Sequence, residues 1–223
     1  MEKRNDSIII PDGKGFCGNI NCSVTCYIRE NSGIKGKINV TGDCHIGKKS
    51  KISGNVKVTG DCYIGPNVVI KGIIEVFGNL YMGEHAYVDE DIWTNNIIVH
   101  GNFYMSEYAM TNGCIHVDGN AYLANHCNSS NIVAKNIFVG DSSGADNLFA
   151  YEHTYLGKNA VCQKVMTKTV TIEEGAKTWG ITTVDISKKR RRSQSKKWKQ
   201  GDNYYASFKK INFLKVNTIC IGL

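Results

Sequence analysis

Nine cysteines and six histidines are the residues of this 223-residue chain best able to do chemistry, and their spacing decides which chemistry is open to them. A zinc site gathers three or four such side chains at about 2.0–2.3 Å from one ion. A disulfide framework sets them in pairs, with Cβ atoms about 3.8 Å apart. The cysteine count is odd and no Cys-x-x-Cys pair occurs, which suits neither arrangement. Three cysteines share one setting instead. Cys26-Tyr27-Ile28, Cys44-His45-Ile46 and Cys62-Tyr63-Ile64 recur at a constant spacing of 18, the later two inside "VTGDCHIG" and "VTGDCYIG". Self-similarity at a fixed period has to be settled before any site is assigned.

The beat continues along the chain. Another step of 18 reaches Leu80-Tyr81-Met82, a gap of 23 reaches Phe103-Tyr104-Met105, and 18 more reach Ala121-Tyr122-Leu123. Gaps of 16, 17 and 16 then reach Ile137-Phe138-Val139, Thr154-Tyr155-Leu156 and Val170-Thr171-Ile172. Inside each period runs a beat of six: from Ile46 the chain reads IGKKSK, ISGNVK, VTGDCY, IGPNVV, IKGIIE, VFGNLY, MGEHAY. The first and fifth places of each hexad are aliphatic or small, and in a strand they point to one face. Gly-Asn and Gly-Asp between them suit corners. Three short strands and three corners per period predict an all-β chain: a single-stranded parallel β-solenoid of triangular section. About nine coils fit between Ile20 and Ile186, a rod about 40–45 Å long at ~4.8 Å per coil.

In this register Cys22, Cys26, Cys44, Cys62, Cys127 and Cys162 point inward, where a free thiol packs as a small apolar group. No metal and no cofactor is expected. His45 stands at the outward centre of a strand, and His116 at the outward centre of another face. His85 and His126 share a corner two coils apart, nearly 10 Å at ~4.8 Å per coil. His100 lies on the corner before a strand, and no three histidines converge in one molecule. The hexads resemble those of acyltransferase solenoids, and that resemblance would imply a histidine general base, for which His85 or His100 is the candidate. The only sizeable insertion, five residues around "DEDIWTNN", is short for a substrate-binding arm.

The outward residue of the repeated tripeptide is a more regular feature: Tyr27, His45, Tyr63, Tyr81, Tyr104, Tyr122, Phe138 and Tyr155. These eight rings are expected in one column on one face. Such a column stabilises the coils by ring contact. It can also form an apolar stripe that meets a partner.

At 42% apolar the chain can bury a sizeable core, and 23 Gly against 2 Pro suits many tight turns. No early stretch resembles a signal peptide and no window approaches a membrane span, so a cytoplasmic protein is expected. Charge is uneven. Lys188 to Leu223 hold 11 Lys/Arg against Asp202, giving +10, while the rest of the chain holds 16 basic and 19 acidic side chains, giving −3. The basic run Lys188, Lys189, Arg190, Arg191, Arg192, Lys196, Lys197 and Lys199 suits an anionic membrane surface, and less well nucleic acid. Tyr204, Tyr205, Phe208, Ile211 and Leu214 beyond it fall near helical spacing. Cys220-Ile221-Gly222-Leu223 has the outline of a prenylation box with glycine at its third place. The expected organisation is an N-terminal cap or arm over 1–17, a solenoid over 18–186, a basic linker over 187–201 and an amphipathic segment over 202–223.

Over roughly residues 18–185, the run "IKGKINVTGDCHIGKKSKISGNVKVTGDCYIGPNVVIKGIIEVFGNLYMGEHAYV" resembles the bactofilins, polymer-forming cytoskeletal proteins. That resemblance implies a right-handed triangular solenoid polymerising end to end without nucleotide, with tails that reach membrane or partners. The hexads are also shared by left-handed acyltransferase solenoids. The expected function is therefore a non-enzymatic scaffold that forms a homo-oligomer or polymer through solenoid ends, the aromatic face or both, with no small-molecule substrate. The alternatives are a trimeric acyltransferase dependent on acyl-coenzyme A, and a viral or surface fibre module that binds glycans.

Overall fold

The structure, a computed structural model, describes residues 2–4, 7–89, 95–183 and 217–219. It is all-β, with parallel strands stacked as a β-solenoid of about nine turns. Each strand pairs with the strand one coil away, which sorts them onto three faces. Face A runs from Ser7–Ile10 through Thr25–Ile28, Cys44–Ile46, Cys62–Ile64, Leu80–Met82 and Phe103–Met105 to Thr169–Ile172. Face B runs from Gly15–Cys17 through Gly33–Lys35, Lys51–Ser53 and Val69–Lys71. Face C runs from Ile20–Cys22 through Ile38–Val40, Val56–Val58 and Ile74–Val76.

The core is a set of columns, as the hexads require. Ile46, Ile52, Val58, Ile64, Ile70, Val76 and Met82 are all buried, and so are Ser50, Val56, Cys62, Val68, Ile74, Leu80 and Ala86. Two devices bring the coils this close. Gly18, Gly36, Gly54 and Gly72 stack at the corner from B to C with φ of 136–149°, and a Cβ on Gly36 would collide with the Gly18 carbonyl oxygen. At the corner from C to A, side chains stitch coil to coil. The Asp43 carboxylate accepts the backbone N–H of Asp61 at 2.9 Å, Asp61 accepts from Asn79 at 2.7 Å, and Asn79 from Asn102 at 2.8 Å. These contacts satisfy corner amides that no strand ladder reaches.

The repeat starts earlier than its sequence suggests. Ser7–Ile10 pairs in register with Thr25–Ile28, so the first coil begins at Ser7, within the stretch 1–17 expected to be a cap or arm. Ile8 and Ile10 are its inward pair, and "PDGKG" makes its corner at Gly13, φ 65°. Both ends carry an antiparallel strand. Glu2–Arg4 pairs with Ser7–Ile10 on face A, and Asn217–Ile219 pairs with residues 181–183 on face C. The amphipathic segment 202–223 thus contributes a strand, beyond the stretch whose spacing suits a helix. Its remainder, Cys220, the 187–201 linker and the basic run at Lys188–Lys199 lie outside the described residues. Among the described residues no helix is long and apolar enough to cross a membrane.

The uneven gaps resolve corner by corner. Counted between inward positions, the step from face A to face B is eight in every coil, from Ile8–Phe16 and Cys26–Ile34 to Val170–Thr178. The step from B to C is four in the early coils (Ile34–Ile38, Ile70–Ile74) and three from Ser129–Ile132 onward. From C to A it is six, falling to five at Ile132–Ile137 and Val165–Val170. The insertion around "DEDIWTNN" falls between Tyr87–Asp89 and Asn95–Val99, on the B-to-C corner.

Candidate functional site

Face A carries the eight outward rings in a single column. Pairing sets Tyr27 beside His45, then Tyr63, Tyr81, Tyr104, Tyr122, Phe138 and Tyr155. From Tyr27 to Phe138 successive centroids lie 4.7–5.0 Å apart with planes within 2–9°. The coil spacing imposes that distance, and it falls within the range favourable to stacked rings. Both faces of each inner ring are covered, so ring edges and hydroxyls reach solvent. Tyr27 and Tyr63 remain 37% exposed, and the stripe is uncovered by the described chain. Burial of ring surface and the Asp61 carboxylate hold the Tyr63 and Tyr81 phenols above their ordinary pKa, so they stay neutral donors.

A second column flanks it at the corner from A to B. His85, Tyr108 and His126 stack at 5.0 Å, with Tyr108 filling the gap that the sequence leaves between the two histidines. All three have φ of 53–58°, as do their counterparts Asn31, Lys49, Asn67, Ser142 and Asn159 within 54–58°. The turn demands this conformation whatever residue occupies it, since the step of eight never changes.

The remaining cluster lies between faces C and A. His100 Nδ1–H donates to Asp118 Oδ2 at 2.7 Å, and His116 Nε2–H donates to Asp118 Oδ1 at 3.2 Å. Phe77 stacks on His100 at 4.6 Å. His100 and Asp118 stand one coil apart, a spacing of 18, so the period can reveal the pair; a search of the histidines alone misses the carboxylate. No family model matches this chain, and no curated protein or solved structure matches it either.

Chemically, the three histidine settings differ. His85 stacks on Tyr108 of the next coil and has no carboxylate at hydrogen-bond distance among the described residues. His100 has one that fixes its tautomer and leaves Nε2 as an acceptor. His45 is enclosed in the ring column. No group of three or more His, Cys, Asp or Glu able to hold a metal ion occurs among the described residues. The eight cysteines among them are free. The thiol contact between Cys26 and Cys44 raises Cys26 and lowers Cys44, but Cys62 and burial lift Cys44 and burial adds to Cys26, so both lie well above the usual thiol range. Desolvation pushes Cys127 up to about 11 and Cys162 up to about 12. Thiols held this firmly in the neutral form are poor nucleophiles and poor metal ligands.

Proposed function

We propose that this protein is a non-enzymatic structural scaffold that self-associates, with its basic run at Lys188–Lys199 tethering it to an anionic surface. The observation that carries this reading is the uncovered aromatic column, six successive ring contacts long on a rigid face. Exposed stripes of this kind mark interaction surfaces. The residues best suited to catalysis are used structurally: inward cysteines fill the core, and His45, His85 and His126 complete ring stacks. The bactofilin-like repeat supports the same reading of a self-assembling scaffold. The test is electron microscopy and sedimentation of the full-length protein with and without anionic liposomes. Concentration-dependent assemblies that cosediment with liposomes are expected; loss of residues 188–223 abolishes cosedimentation but not folding. A particle that stays monomeric overturns the reading.

One observation favours a second reading, acyl transfer: His100 is oriented by Asp118 in the manner of a general base. Discrete trimers that bind coenzyme A, with binding or turnover lost in His100→Ala, would establish it. The glycan-fibre reading is less well supported, because sugar rings stack on open aromatic faces and the inner rings here have none.

A further inference from the structure

We infer that the aromatic stripe receives a second copy of this chain, laid antiparallel across face A about a two-fold axis running along the strands. The inference rests on the scaffold reading and specifies its contact. Three independent features lead to it.

Shape is the first. Every insertion and deletion in the repeat falls on the other two corners, while face A and the corner that follows it keep a step of eight in all coils. A straight ladder of ring edges at 4.7–5.0 Å needs a partner of the same pitch over the same length. This chain's own face A has that pitch. A two-fold along the strands lays each column on its own copy in reverse order, with the axis between Tyr81 and Tyr104, the middle of the eight rings.

Charge is the second. Residues 7–72 hold nine Lys/Arg and four Asp/Glu, 9 − 4 = +5, and residues 73–183 hold five and twelve, 5 − 12 = −7. The coils order these halves along the rod, so an antiparallel pair sets basic against acidic, and a parallel pair sets like on like. At the corner beside the rings, exposed Lys48 and Lys49 then face exposed Asp141 of the second copy, and Glu30 faces Lys158. Lys48 already pairs with Glu30 at 3.2 Å within the chain, so this corner would form a network. One like-charged meeting falls nearest the axis: Glu84 against Glu107.

Closure is the third. A two-fold contact is complete at two copies. Head-to-tail stacking would have to displace Glu2–Arg4 from face A at one end and Asn217–Ile219 from face C at the other; among the described residues, only face B is open at both ends. The ring column, about 40 Å long, by a strand width of ~13 Å gives about 1,000 Å² in total, the lower bound for a specific interface. The dimer is therefore weak and concentration-dependent.

Sedimentation velocity of the full-length protein tests this, with circular dichroism confirming that each variant folds. The expected result is a monomer–dimer equilibrium that weakens with salt. Tyr63→Ser should weaken it, and Lys48→Glu with Lys49→Glu, or Asp141→Lys alone, should do so about tenfold, like charges now facing each other. The triple variant should recover most of the loss, because the swapped charges again meet their opposites. Glu107→Gln should tighten the dimer about threefold, a change that only the two-fold with Glu84 near its axis explains. A dimer indifferent to all of these, or open filaments, overturns the antiparallel contact while leaving the scaffold reading standing. A chain monomeric at every concentration overturns both.

Discussion

The early and late coils of this rod solve the same packing problem with different corners. Through Gly72 the corner from B to C takes a step of four and bends at a glycine of φ 136–149°, which gives short, separate strands such as Val69–Lys71 and Ile74–Val76. From Ser129 onward the step is three, and from Gly144 the strand runs through the corner, as in the 13-residue Gly144–Leu156 and in Val161–Thr167. The sharp corner needs a residue without Cβ, because Gly36, Gly54 and Gly72 each lie against the carbonyl of the coil below. The bent strand has no such requirement: Asp146 and Asn147 occupy it, with the Asn147 amide donating to Asn131 of the coil before at 2.7 Å. A solenoid can therefore lose a residue per coil and keep its core, provided the loss falls where the strand can absorb the bend.

The largest expected effect tests that difference directly. Gly54→Ala forces a side chain into a φ of 149° and against the backbone of the coil below. We expect it to cost about 3 kcal/mol in denaturant unfolding. Asn147→Ala, at the matching corner of a late coil, should cost less than about 1 kcal/mol, the worth of an exposed hydrogen bond. Equal costs at the two sites would mean that the corners do not differ as described.

The same contrast shows what the sequence makes legible. Inward columns and the eight-ring stack follow from a side-chain alternation and a fixed period, and both are visible because every coil repeats them. Which corner lost a residue is hidden, since a gap of 16 says only that two are missing. The first coil is obscured for a related reason: after Ile10 its next inward residue is Phe16, and "PDGKGFC" contains no aliphatic beat. Asp118 is hidden because its role depends on two histidines reached from different directions, one a coil back and one two positions back along the chain. Composition does not record such convergence.

A smaller effect separates the regions through their rings. Tyr81 in the regular half stacks on both sides, at 4.8 Å to Tyr63 and 4.9 Å to Tyr104. Removing two such contacts in Tyr81→Ala should cost about 1–3 kcal/mol. Tyr151 in a late coil meets Phe149 edge-on at 5.1 Å. Tyr151→Ala should cost about half as much, ~0.5–1.5 kcal/mol. Thermal melts at one pH would order the two, and a costlier Tyr151→Ala would show that the column stabilises the rod less than its geometry implies.

The smallest effect lies in the response to alkali, and its sign follows from the thiols. Cys127 and Cys162 titrate at about 11 and about 12 in the fold, against 9.0 when solvated. Below pH 9 they are neutral in both states, and their contribution to stability is fully present. Above pH 9 the unfolded chain releases protons that the folded chain retains, so stability falls as pH rises toward the folded values. At pH 10 the loss is about 1.4 kcal/mol for each of these two thiols. Cys26, in the regular half, is raised first by its contact with Cys44 and then by burial; Cys44 is lowered by the Cys26 contact but raised overall by Cys62 and by burial. Replacing Cys26 and Cys44 by Ala, or Cys127 and Cys162 by Ala, should therefore flatten the decline between pH 9 and 10 by similar amounts, whatever each pair costs at pH 7. If the slope is unchanged in both, solvent reaches the thiolates and the inward columns are not as closed as the burial of these residues requires.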